Sequence, residues 1–227
     1  MTNAIVINAF DELGICSRVE SHSGGSPMAK ITVLNHLSLD GVMQAPGAAN
    51  EDRRGGFEHG GWETPYGDKV MAKFMAKRMS KGGALLLGRR TYENFAATWP
   101  KLKDNPFTEV LNNLQKYVVS RKLKAPLSWV NSTLLKGEAE KSVAKLKATS
   151  KDHLLIMGSG VLVQSLLNSG LIDTFILSIH PLVLGSGRHL FEDGGAYASL
   201  RLVESETTST GVMIATFEPA EPPAMAA

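Results

Sequence analysis

Short apolar runs alternate along the chain with segments whose apolar residues recur every three to four positions. The first pattern predicts buried strands and the second predicts amphipathic helices. Strands are predicted at residues 31–36, 84–88, 116–120, 127–130, 154–158, 173–183 and 211–217. Helices are predicted at residues 66–80, 91–97, 137–148 and 160–169. Because helices separate most of the strands, we expect an α/β layered fold with a largely parallel sheet.

The last part of the chain follows a different pattern. The apolar run TFILSIHPLVLG (174–185) is followed, after a charged loop, by VMIATFEP (212–219), with no helical pattern between them. An antiparallel hairpin is therefore expected to complete the sheet. Because long uncovered strands are normally protected, the strand predicted at 173–183 and its hairpin partner also suggest a homodimer.

Both ends of the chain have the composition of loosely attached segments. The stretch ESHSGGSPMAK (20–30) is rich in Ser, Gly and Pro and predicts a linker, and the last residues are rich in Pro and Ala. We therefore expect a disordered or loosely attached extension at 1–29, a folded domain at 30–218 and a flexible tail at 219–227. Met28 is then a candidate for the native start.

Composition excludes several classes of partner. Lys and Arg total 24 against 22 for Asp and Glu, so the chain lacks the basic field that gathers nucleic acid. The single cysteine, Cys16, excludes an internal disulfide and a multi-cysteine zinc site. No apolar run approaches the ~20 residues of a membrane span, and the amino terminus lacks a signal-peptide pattern. We expect a cytoplasmic protein without membrane or nucleic-acid partners.

Groups suited to anion binding follow the predicted strand at 84–88. Gly88 ends a run of leucines, Arg89 and Arg90 follow it, and Thr91 occupies the position expected of a helix N-cap. Free backbone N–H groups and the dipole at such a helix start favour an anion. The alternative is a solvated loop with a capping residue.

A glycine-rich turn follows the strand predicted at 154–158. Gly158, Ser159 and Gly160 would let a backbone approach a pyrophosphate, which the next helix start would bind. The third glycine of a dinucleotide fingerprint is absent and Asp173 precedes the next strand, so an ordinary Rossmann fold is disfavoured. A purely structural turn is the alternative.

A third strand end carries Ser120 and Arg121, which suit a phosphate clamp or a solvated turn. Each of the three signals is weak alone. Because open α/β sheets bind ligands at the carboxyl edge of their strands, the recurrence favours a phosphate-bearing ligand there.

Candidate substrate contacts lie in WETPYGD (62–68). Trp62 and Tyr66 can form an aromatic wall, and Asp68 lies at the start of a predicted helix, where it is either functional or a first-turn acid. The six histidines show no metal-ligand spacing, so no metal is expected. His180 is interpreted as a sheet residue rather than as a base.

Several motifs, taken in order, resemble the dihydrofolate reductase-like superfamily. They are SLDGVMQAPG, FEHGGW, LLLGRRTYENF, YVVSRK, the segment 154–191 and STGVMIATFEP. The resemblance is closest to the reductase domain of the bifunctional riboflavin-biosynthesis deaminase-reductase and covers roughly residues 30–218. It implies a three-layer fold, in which a central mixed, mostly parallel sheet has helices on both faces and a C-terminal antiparallel hairpin.

The resemblance also implies NADPH as cofactor, bound by an early loop beside the nicotinamide and by the three strand ends. Carried over by motif, the cofactor-binding residues are Leu39, Asp40, Gly41, Gly88, Arg89, Arg90, Thr91, Ser120, Arg121, Gly158, Ser159, Gly160, Val161 and Leu162. Arg89 and Arg90 would select the extra phosphate that distinguishes NADPH from NADH.

The implied reaction is hydride transfer to a C=N or carbonyl carbon of a small pterin-like or aminopyrimidine-like substrate. Asp68 lies one residue later than the acid of dihydrofolate reductases and is the implied catalytic residue, while Trp62 and Tyr66 would stack on the substrate. The zinc deaminase half needs a His-x-Glu motif and paired cysteines, which the sequence lacks. The alternative function is a non-catalytic NADPH-binding module.

Overall fold

An eight-stranded sheet forms the centre of the computed structural model, which describes residues 28–79, 83–102 and 105–222. The strands are β1 (Ile31–Ser38), β2 (Ala84–Gly88), β3 (Gln115–Val119), β4 (Ser132–Leu135), β5 (Leu154–Met157), β6 (Thr174–His180), β7 (Leu200–Thr207) and β8 (Met213–Pro219). Their spatial order is β4-β3-β2-β5-β1-β6-β8-β7. The six strands from β4 to β6 are parallel. The strand β8 pairs antiparallel with β6, as predicted, and β7 pairs antiparallel with β8 at the edge of the sheet.

Helices cover both faces of this sheet. They are α1 (Lys69–Met79), α2 (Arg89–Thr98), α3 (Pro106–Asn113), α4 (Ala139–Thr149) and α5 (Gly160–Asn168), with short 3-10 helices at Arg54–Gly56, Thr64–Tyr66 and Trp99–Lys101. The helices α4 and α5 share one core, whereas α1, α2 and α3 pack on the opposite face. This confirms the predicted three-layer arrangement. In the part of the chain described here, no helix combines the length and apolarity needed to cross a bilayer.

The leucine run of β2 shows why the strand lies at the centre. Leu86 belongs to the core under α4 and α5, whereas Leu85 and Leu87 pack with α2 and α3 on the other face. All three side chains are fully buried. Because successive side chains of a strand point to opposite faces, only a continuous apolar run can bury both.

The prediction of a strand at 127–130 is wrong, because β4 begins at Ser132, five residues after the predicted start. Trp129 accounts for the apolar signal from within a loop. Its ring packs near Tyr92 and is 3% exposed, and its Nε1 donates a hydrogen bond to Asn112 Oδ1 at 2.7 Å. A single buried indole therefore produced the apolar pattern of a short strand.

The position of β6 also corrects a premise of the predicted dimer. The strand ends at His180 because Pro181 follows and cannot donate to a ladder, and β6 lies between β1 and β8. The segment 173–183 is thus an interior strand, and the edges of the sheet are β4 and β7. The predicted extension and tail fall largely at 1–27 and 223–227, outside the described residues.

Candidate active site at the carboxyl edge of the sheet

Hydrogen bonds join the loops that follow β2 and β5 at the carboxyl edge of the sheet. The amide of Gly88 donates to Ser159 Oγ at 3.0 Å, and the amide of Ser159 donates to Thr91 Oγ1 at 3.1 Å. The amide of Gly158 donates to Asn35 Oδ1 of β1 at 2.7 Å. The turn 158–160 is therefore held by side chains and backbone from β1, β2 and α2.

This turn has an unusual backbone. Gly158 and Ser159 both have left-handed conformations, with φ of 64° and 58°, and the second is uncommon for a residue with a side chain. The helix α5 begins at Gly160, so its first amides, including those of Val161 and Leu162, have no acceptor within the helix. The turn presents these amides at the positive end of the helix dipole, where an anion is stabilised.

The predicted N-cap at Thr91 is wrong, because α2 starts two residues earlier. Gly88 is the N-cap, and Thr91 lies in the first turn with its hydroxyl directed at the Ser159 amide. Arg89 Nη1 is paired with Glu93 Oε2 at 2.7 Å. Arg90 is exposed and forms no salt bridge with any described residue. Two cations at the positive end of a helix repel its dipole, so the arrangement favours a bound anion.

Ser120 and Arg121 lie at the end of β3 in different environments. Ser120 is 6% exposed, and its hydroxyl accepts hydrogen bonds from the amides of Lys122 and Leu123, each at 3.0 Å. The serine therefore closes its own turn. Arg121 is exposed, and its Nη1 lies 3.7 Å from Glu138 Oε1.

The turn at 39–41 is braced by its aspartate. Asp40 Oδ1 accepts hydrogen bonds from the Ser38 hydroxyl at 2.5 Å and the Leu184 amide at 3.2 Å, and Oδ2 accepts one from the Gly185 amide at 2.8 Å. Burial raises the pKa of Asp40, but these hydrogen bonds outweigh it and hold the pKa at about 2. In the same turn, Leu39 is 65% exposed and Gly41 has φ of 83°.

The carboxylate of Asp68 is occupied by structural contacts. Its Oδ1 caps α1 by accepting from the Met71 amide at 2.8 Å, and its Oδ2 accepts from both the amide and the hydroxyl of Ser209 at 2.7 Å. Burial raises the pKa of Asp68, but these hydrogen bonds have the larger effect, so the pKa lies below its ordinary value. The contacts favour a structural role, and the catalytic role of Asp68 stays a prediction.

A cluster that the sequence analysis missed lies on the face of the sheet that α1 covers. His36 of β1, His180 of β6 and Glu63 converge, with 2.8 Å between His36 Nδ1 and Glu63 Oε2 and 3.0 Å between His36 Nδ1 and His180 Nε2. The two histidines are 144 residues apart in sequence. They meet because β1 and β6 are adjacent parallel strands that end at the same edge.

The predicted aromatic wall surrounds this cluster. The rings of Trp62 and Tyr66 meet the His180 ring edge-on, with centroid distances of 5.1 Å and 5.3 Å. Trp62 is 7% exposed, and its Nε1 donates to the carbonyl of Gln44 at 2.8 Å. Trp62 therefore belongs to the packed wall behind the cluster, whereas Tyr66 is only half-buried.

The cluster combines a charged pair with a neutral imidazole. Burial lowers the pKa of His36, but the adjacent charge of Glu63 outweighs it, so the pKa lies above its ordinary value. Burial raises the pKa of Glu63, but the charge of His36 lowers it further, below its ordinary value. Burial and the neighbouring His36 charge lower the pKa of His180 to about 4. Near neutral pH His180 is therefore uncharged beside the ionised His36–Glu63 pair.

The sheet order and the C-terminal antiparallel strands define a dihydrofolate reductase-like fold. Dihydrofolate reductase from Enterococcus faecalis, solved as a complex with NADP(H) and RAB-propyl, superimposes with a TM-score of 0.54 at 12% identity. The alignment covers 86% of this chain and 98% of the reductase. A pyrimidine reductase-like protein from Corynebacterium diphtheriae gives a TM-score of 0.58 at 12% identity, over 86% of this chain and 93% of that protein.

The chain belongs to the RibD C-terminal domain family, whose model matches residues 29–214. Among curated proteins, the uncharacterised protein YyaP from Bacillus subtilis strain 168 is 33% identical over 137 residues. That alignment covers 57% of this chain and 70% of YyaP. These findings confirm the family resemblance inferred from the sequence motifs.

Proposed function

We propose that the chain is an NADPH-dependent reductase that transfers hydride to a C=N or carbonyl carbon of a pterin-like or aminopyrimidine-like substrate. The observation that carries the proposal is the cross-bonded turn at 158–160, which presents the amides at the start of α5 beside β2. Family membership supports reduction of an aminopyrimidine, and a structural neighbour that holds NADP(H) supports the cofactor.

The phosphates of the cofactor would lie across the ends of β2 and β5. Amides at the start of α5 suit the pyrophosphate, because they donate hydrogen bonds along the helix dipole. Arg90 suits the 2′-phosphate, because its guanidinium is exposed and is not paired with a described carboxylate. Arg121 at the end of β3 supplies further positive charge for the adenosine side.

The acceptor end of the substrate would lie at the cluster of His36, Glu63 and His180. The side chains of His36 and Glu63 are 19% and 27% exposed, so a small molecule can reach them. Tyr66 offers its half-buried ring to a planar heterocycle. NADPH supplies the hydride, and the chain's task is to align donor and acceptor and to exclude water.

A calorimetric titration of the purified chain with NADPH and, separately, NADH tests the cofactor assignment. We expect micromolar affinity for NADPH and weaker binding of NADH by ~1–3 kcal/mol, the range for a lost charge-assisted contact. Binding of neither nucleotide would overturn the proposal.

Turnover distinguishes the reductase from the non-catalytic NADPH-binding module. Pterins and aminopyrimidines are added to the protein with NADPH, and the loss of absorbance of the reduced nicotinamide is followed. Consumption of NADPH that depends on one of these compounds supports the reductase. Tight NADPH binding with no consumption across both compound classes favours the binding module.

A further inference from the structure

We propose that His36, Glu63 and His180 form a binding site for a divalent transition-metal ion. One potential ligand atom from each of the three side chains lies within 4.8 Å of the other two. Two imidazoles and one carboxylate are a donor set used by zinc and by other first-row divalent ions. This site does not rest on the proposed reductase activity.

The spacing of the donor atoms suits a single ion. Zinc binds imidazole nitrogen and carboxylate oxygen at about 2.0–2.2 Å, which places neighbouring ligand atoms roughly 3 Å apart. The separations of 2.8 Å from His36 to Glu63 and 3.0 Å from His36 to His180 are close to that value. Small rotations of the side chains would bring all three atoms to bonding distance.

Hydrogen bonds alone leave this cluster incompletely satisfied. His36 Nδ1 is within hydrogen-bonding geometry of His180 Nε2. The same nitrogen lies 2.8 Å from Glu63 Oε2, so a single Nδ1–H of His36 faces two acceptors and can fully satisfy only one of them. A cation at the centre of the cluster would be shared by both acceptors.

The local charge balance favours a cation as well. The carboxylate of Glu51, which accepts hydrogen bonds from the amides of Gly47 and Ala48, is close enough to Glu63 to feel its charge. Within the described residues, no lysine or arginine forms a salt bridge with Glu63.

The surroundings combine a rigid wall with an open side. The edge-on rings of Trp62 and Tyr66 fix the orientation of the His180 imidazole. The side chains of His36 and Glu63 are 19% and 27% exposed, so water or a substrate atom would take a fourth coordination position from that side. An ion with an open position can polarise the carbonyl or imine of a bound molecule.

The first test is metal binding by the untagged full-length protein after dialysis against a chelator. Zn²⁺ is titrated by calorimetry near neutral pH, and Co²⁺ is titrated by visible absorption. We expect one ion per chain with a dissociation constant of about 10 µM or lower. Failure to bind either ion at that affinity would overturn the proposal. A thiolate-to-Co²⁺ charge-transfer band would instead place the ion on Cys16 and would also overturn it.

Variants then locate the site. Glu63→Gln keeps the size of the side chain and removes its charge, and we expect it to weaken Zn²⁺ binding by at least about 100-fold, the upper end of the losses seen for second-shell partners. His36→Gln should have a similar effect. His59→Gln is the matched control, because His59 is an exposed residue of the same loop outside the cluster, and it should bind as the parent does.

Circular dichroism and thermal unfolding establish that each variant is folded. If His36→Gln does not fold, Glu63→Gln decides the question alone, because it changes the fewest atoms. Parent-like Zn²⁺ affinity in a folded Glu63→Gln protein would show that the ion binds elsewhere, and the proposed site would be wrong.

Discussion

At the scale of single residues, Arg89 and Arg90 at the start of α2 lie in different environments, although the sequence analysis gave both the same role. Both arginines are predicted to select NADPH, but Arg89 is held by Glu93 in a salt bridge between successive turns of the helix. Arg90 lacks such a partner among the described residues and is exposed. The selective contact with the 2′-phosphate should therefore depend mainly on Arg90.

We expect Arg90→Ala to weaken NADPH binding by about 1–3 kcal/mol, because a charge-assisted contact is lost, and to leave NADH binding unchanged. Arg89→Ala is the matched control and should have the smaller effect. Calorimetric titration of both variants with both nucleotides measures the difference. An equal loss for NADPH and NADH would contradict the assignment of Arg90 to the 2′-phosphate.

Asp40 gives a prediction about pH and stability. Its pKa of about 2 in the folded protein is below the ordinary value of 3.8, so the folded state favours the ionised form. The stabilisation is present above the unfolded pKa and is lost as the pH falls toward 2. Asp40→Asn should reduce the free energy of unfolding by about 1 kcal/mol near pH 7, because the group is largely solvated.

Urea unfolding of the parent protein and of Asp40→Asn, from pH 7 down to pH 3, measures this contribution. The stability difference should be constant above about pH 5 and should shrink below about pH 4, because Asp40 takes up a proton in the unfolded parent protein while it is still ionised in the folded one. A difference that grows in acid would show that the hydrogen bonds to Asp40 do not stabilise its ionised form.

At the scale of elements, α1 depends on its N-cap. Asp68→Ala removes the acceptor for the Met71 amide and the contact with Ser209, and it should lower the free energy of unfolding by about 1–2 kcal/mol. Asp68→Asn is the matched control, because asparagine is also a good N-cap, and it should cost less. Thermal or urea unfolding measures both changes. If Asp68→Asn abolished turnover without loss of stability, the catalytic role predicted for Asp68 would be supported instead.

The elements differ in how much of them the sequence could predict. The strand ends and turns at 88–91 and 158–160 could be predicted, because each strand, turn and helix start is contiguous in sequence and is defined by local residue types. The strand β7 was missed because nearly all of its side chains are exposed, so it has no apolar face to produce a pattern. The helix α3 was also missed, although Asn105 caps it and Pro106 occupies its first position, a recognised start signal.

The cluster of His36, Glu63 and His180 could not be predicted from spacing. Metal and catalytic motifs are recognisable in sequence when their residues share one helix or loop. Here two neighbouring parallel strands supply the histidines, and a loop between them in sequence supplies the glutamate. Only the strand order, which places β6 beside β1, reveals that these side chains meet.

For the whole molecule, β7 is one of the two edge strands of the sheet, and the homodimer stays a prediction. Leu202 and Val203 of this edge strand are 53% and 46% exposed, and edge strands of this kind invite pairing with another chain. We expect sedimentation velocity of the full-length protein to give twice the mass of one chain. Leu202→Lys should shift the protein toward the monomer, because lysine on an edge strand opposes pairing.

A monomer at all accessible concentrations would contradict the predicted dimer. Glu204→Lys is the control for added charge, since Glu204 is already a charged residue on the same strand. If both lysine variants dissociate the dimer equally, general charge repulsion rather than pairing at Leu202 explains the effect.

Two neighbouring residues of β1 belong to the two halves of the site. Asn35 holds the turn 158–160 through Gly158, and His36, pointing to the other face of the same strand, belongs to the cluster with Glu63. The alternation of side chains along β1 therefore fixes the position of the turn 158–160 relative to the cluster of His36, Glu63 and His180. Under the proposed function, a change of sequence in the loop from 43 to 68 would alter the contacts with the substrate and leave the positions of Asn35 and His36 on β1 unchanged.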